Sequence, residues 1–184
     1  MQVARPAPPP VIVVMGVSGC GKSSVGEQLA KQLGVRFIEG DQLHPAENIE
    51  KMAQGIALTD ADRAPWLKRI AAEIGQALED SEGAVFSCSC LKKSYRETLR
   101  AASGNRLAFV FLEGSRDVLL ARMTTREGHF MPASLLDNQL QVLEVPTGET
   151  GVVTVSIDNP LDTIVFNARN GLDALETQGA EHGE

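Results

Sequence analysis

The chain has 184 residues, with 17 Lys and Arg against 24 Asp and Glu, for a formal net charge of −7. That length accommodates one domain core rather than two, and a composition of 43% hydrophobic and 22% charged residues excludes a chain disordered throughout. Net acidity argues against a general nucleic-acid binder, so an anionic ligand must be held by a local cluster of cations.

The three cysteines, Cys20, Cys88 and Cys90, make no disulfide framework, which points to a reducing compartment. No apolar run approaches the roughly 20 residues of a membrane span. The opening MQVARPAPPP lacks the layout of a signal peptide. The expected setting is the cytoplasm, without membrane or nucleic-acid partners.

In chain order, residues 1–10 read as an extended Pro-rich tail. Val11–Met15 is a continuous apolar run, as expected of a strand covered on both faces. Next comes Gly16-Val17-Ser18-Gly19-Cys20-Gly21-Lys22-Ser23, a complete G-x-x-x-x-G-K-[ST], followed by Ser24. It leads into a helical stripe of Val25, Leu29 and Leu33. Val35–Ile38 is a second strand. Thr59-x-x-Asp62 reads as an N-terminal cap ahead of the stripe Trp66, Ile70, Ile74 and Leu78. Further strands are expected at Ala84–Cys88, Leu107–Leu112 and Val152–Ile157. Two more stripes follow, Leu136, Leu140, Leu143 and Leu161, Ile164, Ala168, Leu172, Leu175, before a frayed polar end at 177–184. Strands alternating with helices predict an α/β fold of three layers: about five parallel strands, helices on both faces, one domain over 11–176.

The Gly-rich loop lies where its chemistry needs it, after a strand and opening a helix. Its glycines let backbone N–H groups turn inward around phosphate oxygens, and the helix N-terminus adds positive charge. Gly16 to Ser24 are therefore the expected contacts for a nucleoside triphosphate, ATP. Lys22 is expected on the β- and γ-phosphates and the Ser23 hydroxyl on Mg²⁺. Cys20 occupies an x position beside the cradle, where the favoured reading is that only its backbone matters; a helix N-terminus can also lower a thiol pKa, and on that second reading alkylation of Cys20 blocks activity and ATP protects it. A GTPase is disfavoured: Asp80-Ser81-Glu82-Gly83 precedes a strand rather than following one, and no N-K-x-D occurs.

A kinase for a small alcohol needs a base, charges for the acceptor, cations on the moving phosphoryl group and a lid. The second strand runs into Glu39-Gly40-Asp41-Gln42-Leu43-His44-Pro45. Asp41 then stands at a C-terminal sheet edge, where such sheets bind ligands. It is a candidate base, a magnesium ligand through water, or a helix cap. His44 is a candidate hydroxyl ligand or a structural histidine. Lys51 and Arg63 are candidate acceptor cations or solvated surface charges. Arg96, one turn into the helix after the third strand, is a further candidate. Trp66 reads as core. Cys88-x-Cys90 lacks the other ligands of a zinc site. Arg122 and Arg126 stand at i, i+4 on one helix face, suited to adenine and phosphate, with Arg126 a catalytic candidate. Residues 126–135, with Gly128 and Pro132, form the expected lid.

Together these residues resemble the gluconokinase family. The resemblance is carried by Gly16–Ser23, Gly40-Asp41-x-x-His44-Pro45, Asn48-x-x-Lys51-Met52-x-x-Gly55, Asp60-x-Asp62-Arg63-x-Pro65-Trp66-Leu67, Cys88-Ser89-x-Leu91-Lys92-x-x-Tyr95-Arg96, Arg126-x-Gly128-His129-Phe130 and Leu143-Glu144-x-Pro146. It implies a P-loop NTPase fold of nucleoside-kinase-like arrangement with a lid. It also implies Mg·ATP as donor, D-gluconate as acceptor and a homodimer. Asp41, His44, Lys51, Arg63, Arg96 and His129 become the expected acceptor ligands. Cys90 replaces the family's smaller Ala and is expected to narrow the acceptor pocket. The competing readings are another small-acceptor kinase, related to shikimate or nucleoside-monophosphate kinases, and a non-catalytic ATP-binding regulator.

Overall fold

β1 (Val11–Met15) is buried along its whole length because it is the middle strand of five. The computed structural model describes residues 9–125 and 132–181. In it β1 pairs in parallel with β3 (Ala84–Ser87) on one side and β4 (Leu107–Glu113) on the other. β2 (Arg36–Glu39) and β5 (Val152–Ser156) complete a sheet of order β2-β3-β1-β4-β5, every pairing parallel.

Alternate residues of β1 serve the two faces, as strand geometry requires. Ile12 and Val14 join a core with Val25 and Leu29 of α1 (Lys22–Leu33) and Ile164, Ala168 and Leu172 of α7 (Leu161–Glu181). Val11, Val13 and Met15 join a second core with Trp66, Ile70 and Ile74 of α3 (Asp60–Glu79) and Leu99 of α4 (Lys93–Ala102). The three expected layers are present. So is the cap at the start of α3: Thr59 Oγ1 accepts from Asp62 N at 3.2 Å, and Asp62 Oδ2 accepts from Thr59 N at 2.9 Å.

α2 (Ala46–Ala53) leaves no apolar stripe in the sequence, since its one buried residue is Asn48. α5 (Arg116–Thr124) carries Arg122, and α6 (Ala133–Val142) follows Pro132. Two expectations about the ends need correction. Pro10 is already tied to the sheet, its carbonyl accepting from Ala84 N at 3.1 Å; residues 1–8 of the expected tail lie outside the described residues. At the other end α7 continues through Glu181 instead of fraying at 177. Once a helix is nucleated each further residue adds a backbone bond, and Thr177 Oγ1 donates to the Asp173 carbonyl at 3.0 Å. Of the expected lid, residues 126–131 lie outside the described residues, and 133–135 form the first turn of α6.

Candidate active site

The loop between β1 and α1 turns on Gly16, Gly19 and Gly21, with φ of 144°, 81° and 94°. Its first residue is tied across the sheet end: Gly16 N donates to Ser89 O at 3.2 Å. Lys22 Nζ donates to Val17 O at 3.2 Å, which holds the ammonium over the loop. Cys20 follows the reading in which only its backbone matters, and opposes the reactive-thiol one. It is fully buried with its sulfur close under Gly16, where a Cβ would come within 2.8 Å of Sγ. Burial raises its thiol pKa, opposing the helix N-terminus, so selective alkylation there is no longer expected. Val17 is likewise core.

At the start of α1 the Ser23 hydroxyl donates to the Glu39 carboxylate, and the Ser87 hydroxyl donates to its other oxygen. Ser87 Oγ in turn accepts from Gly40 N at 3.1 Å. Glu39 is a residue that sequence reasoning missed. Its signal was a carboxylate at a strand end, but the pairing that sets it opposite Ser87 is a matter of β2–β3 register.

β3 lies between β2 and β1, so Asp41 begins one strand away from the phosphate loop. Gly40 closes that gap. A Cβ there would lie 1.9 Å from Ser87 O, so only glycine lets the turn Gly40–Leu43 cross so close to the end of β3. Trp66 Nε1 donates to Gly40 O at 2.8 Å and fixes the turn from α3. Asp41 consequently shares one cleft with Ser18, Lys22, His44, Arg63 and Gln139. Gln139, on α6, was not anticipated; its Oε1 accepts from Ser18 N at 2.7 Å.

His44 stacks on Trp66 with centroids 4.1 Å apart and planes at 12°. Burial lowers its pKa to about 4, helped by Arg63 and opposed by Asp41. It is neutral near pH 7. Trp66 belongs to the core, as its stripe implied, and also forms a wall of the cleft.

The acceptor cations are sorted by their partners. Arg63 lines the cleft, with Nη1 donating to the Tyr95 hydroxyl at 3.2 Å. Lys51 does not line it; its ammonium lies 2.8 Å from Asp62 Oδ1. Arg96 is a correction. It is fully buried and pairs with Glu149 through both Nε and Nη2, while donating to the carbonyls of Cys90 at 2.8 Å and Glu144 at 2.9 Å. Those donors are committed to the fold, not to a ligand. Cys90 also points into the core, its sulfur 3.2 Å from Cys88 Sγ, so it does not narrow this cleft.

A second cleft opens on the other side of the loop, between Gly19, Gly21, Ser24, Arg122, Thr125 and Asn159. Arg122 Nη2 donates to Ile157 O at 2.5 Å, which fixes its guanidinium beside Gly21. Arg126 and His129 lie outside the described residues.

The shikimate kinase family model matches residues 18–145. Gluconokinase of Gluconobacter oxydans is 48% identical over 157 residues, covering 85% of this chain and 88% of the relative. Thermosensitive gluconokinase of Escherichia coli K12 is 42% identical over 164 residues, covering 89% and 87%. The crystal structure of a gluconokinase from Sinorhizobium meliloti 1021 superposes with a TM-score of 0.87 at 54% identity, over 96% of this chain and 99% of that one. With the loop, the strand-end Asp41 and the shared cleft already in place, this likeness over nearly the whole length is decisive: the chain belongs to the gluconokinase family of P-loop kinases.

Proposed function

We propose that this chain transfers the γ-phosphoryl group of Mg·ATP to the 6-hydroxyl of D-gluconate, giving 6-phospho-D-gluconate and ADP. The observation that carries the reading is that Lys22 and Asp41 line one cleft, although a whole strand, β3, separates the strands they follow. Backbone N–H groups of Gly16 to Ser24 cradle the triphosphate, and the cleft beside Arg122 takes the adenine. Arg63 pairs with the gluconate carboxylate, being the cation that lines the cleft together with Lys22, which is given to the phosphates. As a bond forms between O6 and the γ-phosphorus, the bond to the β-phosphate oxygen breaks. Asp41 accepts the hydroxyl proton, and Lys22 neutralises charge on the transferred group. Arg126 and His129 are assigned to phosphate and acceptor by the family pattern.

Ser23 and Glu39 are suited to Mg²⁺. A hydroxyl and a carboxylate side by side are hard oxygen donors, and this ion takes few protein ligands when it travels with a nucleotide. When bound it screens the β- and γ-oxygens; Asp41 is a further candidate through water.

The reading includes a cytoplasmic setting and a homodimer. Among the described residues no helix is long and apolar enough to cross a membrane. The test is ADP release with gluconate, shikimate, AMP and glycerate in parallel. Acceleration by gluconate alone is the expected result. Acceleration by another acceptor alone overturns it, and ATP binding without acceptor-dependent turnover indicates a regulator.

A further inference from the structure

Asn48 is the buried residue of α2, at 3% exposure. Its side-chain Nδ2 lies 2.8 Å from the Asp62 carbonyl oxygen and 3.2 Å from His44 Nδ1. A carbonyl oxygen only accepts hydrogen bonds, so the group facing it must be the amide NH₂ and not the amide oxygen. The second hydrogen of that NH₂ is then directed at His44 Nδ1, which must offer a lone pair. A neutral imidazole with a bare Nδ1 carries its proton on Nε2. Among the described residues no buried side-chain nitrogen or oxygen lacks a partner. Since Nδ1 takes the bond to Asn48, Nε2 is left for the cleft that His44 lines.

We propose that Asn48 is a positioning residue that locks His44 as the Nε2–H tautomer, so that a neutral hydrogen-bond donor faces an oxygen of the acceptor substrate. The proposal deepens the kinase reading and rests on it for the identity of that oxygen; the tautomer itself belongs to the free protein. The surroundings agree. The groups that face His44 are Asp41 from the strand-end turn, Arg63 and Trp66 from α3, and Asn48 from α2. Arg63 and burial oppose a second proton on the ring, which keeps Nδ1 free to accept. A histidine held this way donates and does not take a proton, which leaves Asp41 as the base. The lock is also anchored to the start of α3, because the Asp62 carbonyl that orients Asn48 belongs to the residue that closes its capping box.

The test is nitrogen-15 NMR of histidine-labelled protein without ligand, with His44→Gln used only to assign the signal. Across about pH 6 to pH 8, His44 is expected to show a protonated Nε2 and an unprotonated Nδ1. A protonated Nδ1, a mixture of tautomers or an imidazolium at neutral pH overturns the proposal. Asn48→Asp replaces the donor with an acceptor, so a proton should move to Nδ1 and the His44 pKa should rise. Gluconate KM is expected to increase about tenfold, the size of one hydrogen bond, with ATP KM unchanged. Asn48→Ala, which adds no charge beside the Asp62 carbonyl, should give the same KM split with a mixed tautomer. An unchanged tautomer in a folded variant overturns the lock, and should neither variant fold, the wild-type spectrum decides. An Nε2–H signal in a protein that phosphorylates no acceptor would sink the functional reading and leave the lock standing. An Nδ1–H signal in an active gluconate kinase would do the reverse.

Discussion

Lys22 and Asp41 are asked to do different chemistry, and their replacements should separate. Lys22→Met removes charge stabilisation from the transferring group. The expected loss is ~10²-fold or more in kcat with the melting temperature unchanged, because among the described residues the ammonium is tied down by a hydrogen bond to a loop carbonyl and by no carboxylate. Calorimetry beside turnover checks both halves; intact turnover would remove its assigned role. Asp41→Asn keeps the shape and loses the base. A kcat lower by ~10²-fold is expected, with gluconate binding retained in titration calorimetry. Loss of binding alone would make Asp41 an acceptor ligand.

At the scale of elements, one contact shapes the site from outside it and another holds the fold. Gly40 lets the turn after β2 cross the end of β3, and Gly40→Ala would drive a Cβ to 1.9 Å from Ser87 O. Because backbone meets backbone there, a loss of about 3 kcal/mol is expected, together with reduced kcat as Asp41 shifts; urea melts and kinetics measure the two. The second contact ties α4 to the loop before β5. Glu149 sits between Arg96 and Arg100, and chiefly the Arg96 hydrogen bond holds its carboxyl at about 2, below its ordinary 4.5. A depressed carboxylate pKa contributes stability that is complete above the ordinary value and drains away as pH falls toward the folded one. Wild-type stability should therefore decline from about pH 4.5 toward about pH 2 through this group. Glu149→Ala should lack that part of the decline. It should also cost about 3 kcal/mol at neutral pH, since Arg96 is left buried and unpaired. An acid titration of both proteins by circular dichroism distinguishes them.

On the scale of the whole molecule, the cysteines report how far the fold opens. Cys20, Cys88 and Cys90 are all free and buried, and burial raises the pKa of Cys20 and Cys88. A thiol reagent should label them only as the protein opens, at a rate that rises with denaturant. Rapid labelling of Cys20 in native buffer would contradict the packing of the phosphate loop.

Much of this architecture was legible in the chain because its causes are local or periodic. Val11–Met15 announces a central strand by having no polar residue, and the leucine and isoleucine stripes announce helices by their spacing. The Gly-Lys-Ser loop and Asp41, two residues past the end of β2, name themselves by chemistry and position. Other features were illegible because they depend on residues far apart in sequence. Gln139 reaches Ser18 across 121 positions, Glu39 meets Ser87 across 48, and Arg96 meets Glu149 across 53. A lone arginine looks the same in sequence whether its partner is a ligand or a buried glutamate. Folding chose between them: Lys51 was turned to Asp62 and Arg96 to Glu149, the opposite charges that the packed elements bring within reach, while Arg63, bonded to the neutral Tyr95 hydroxyl, keeps its charge at the cleft.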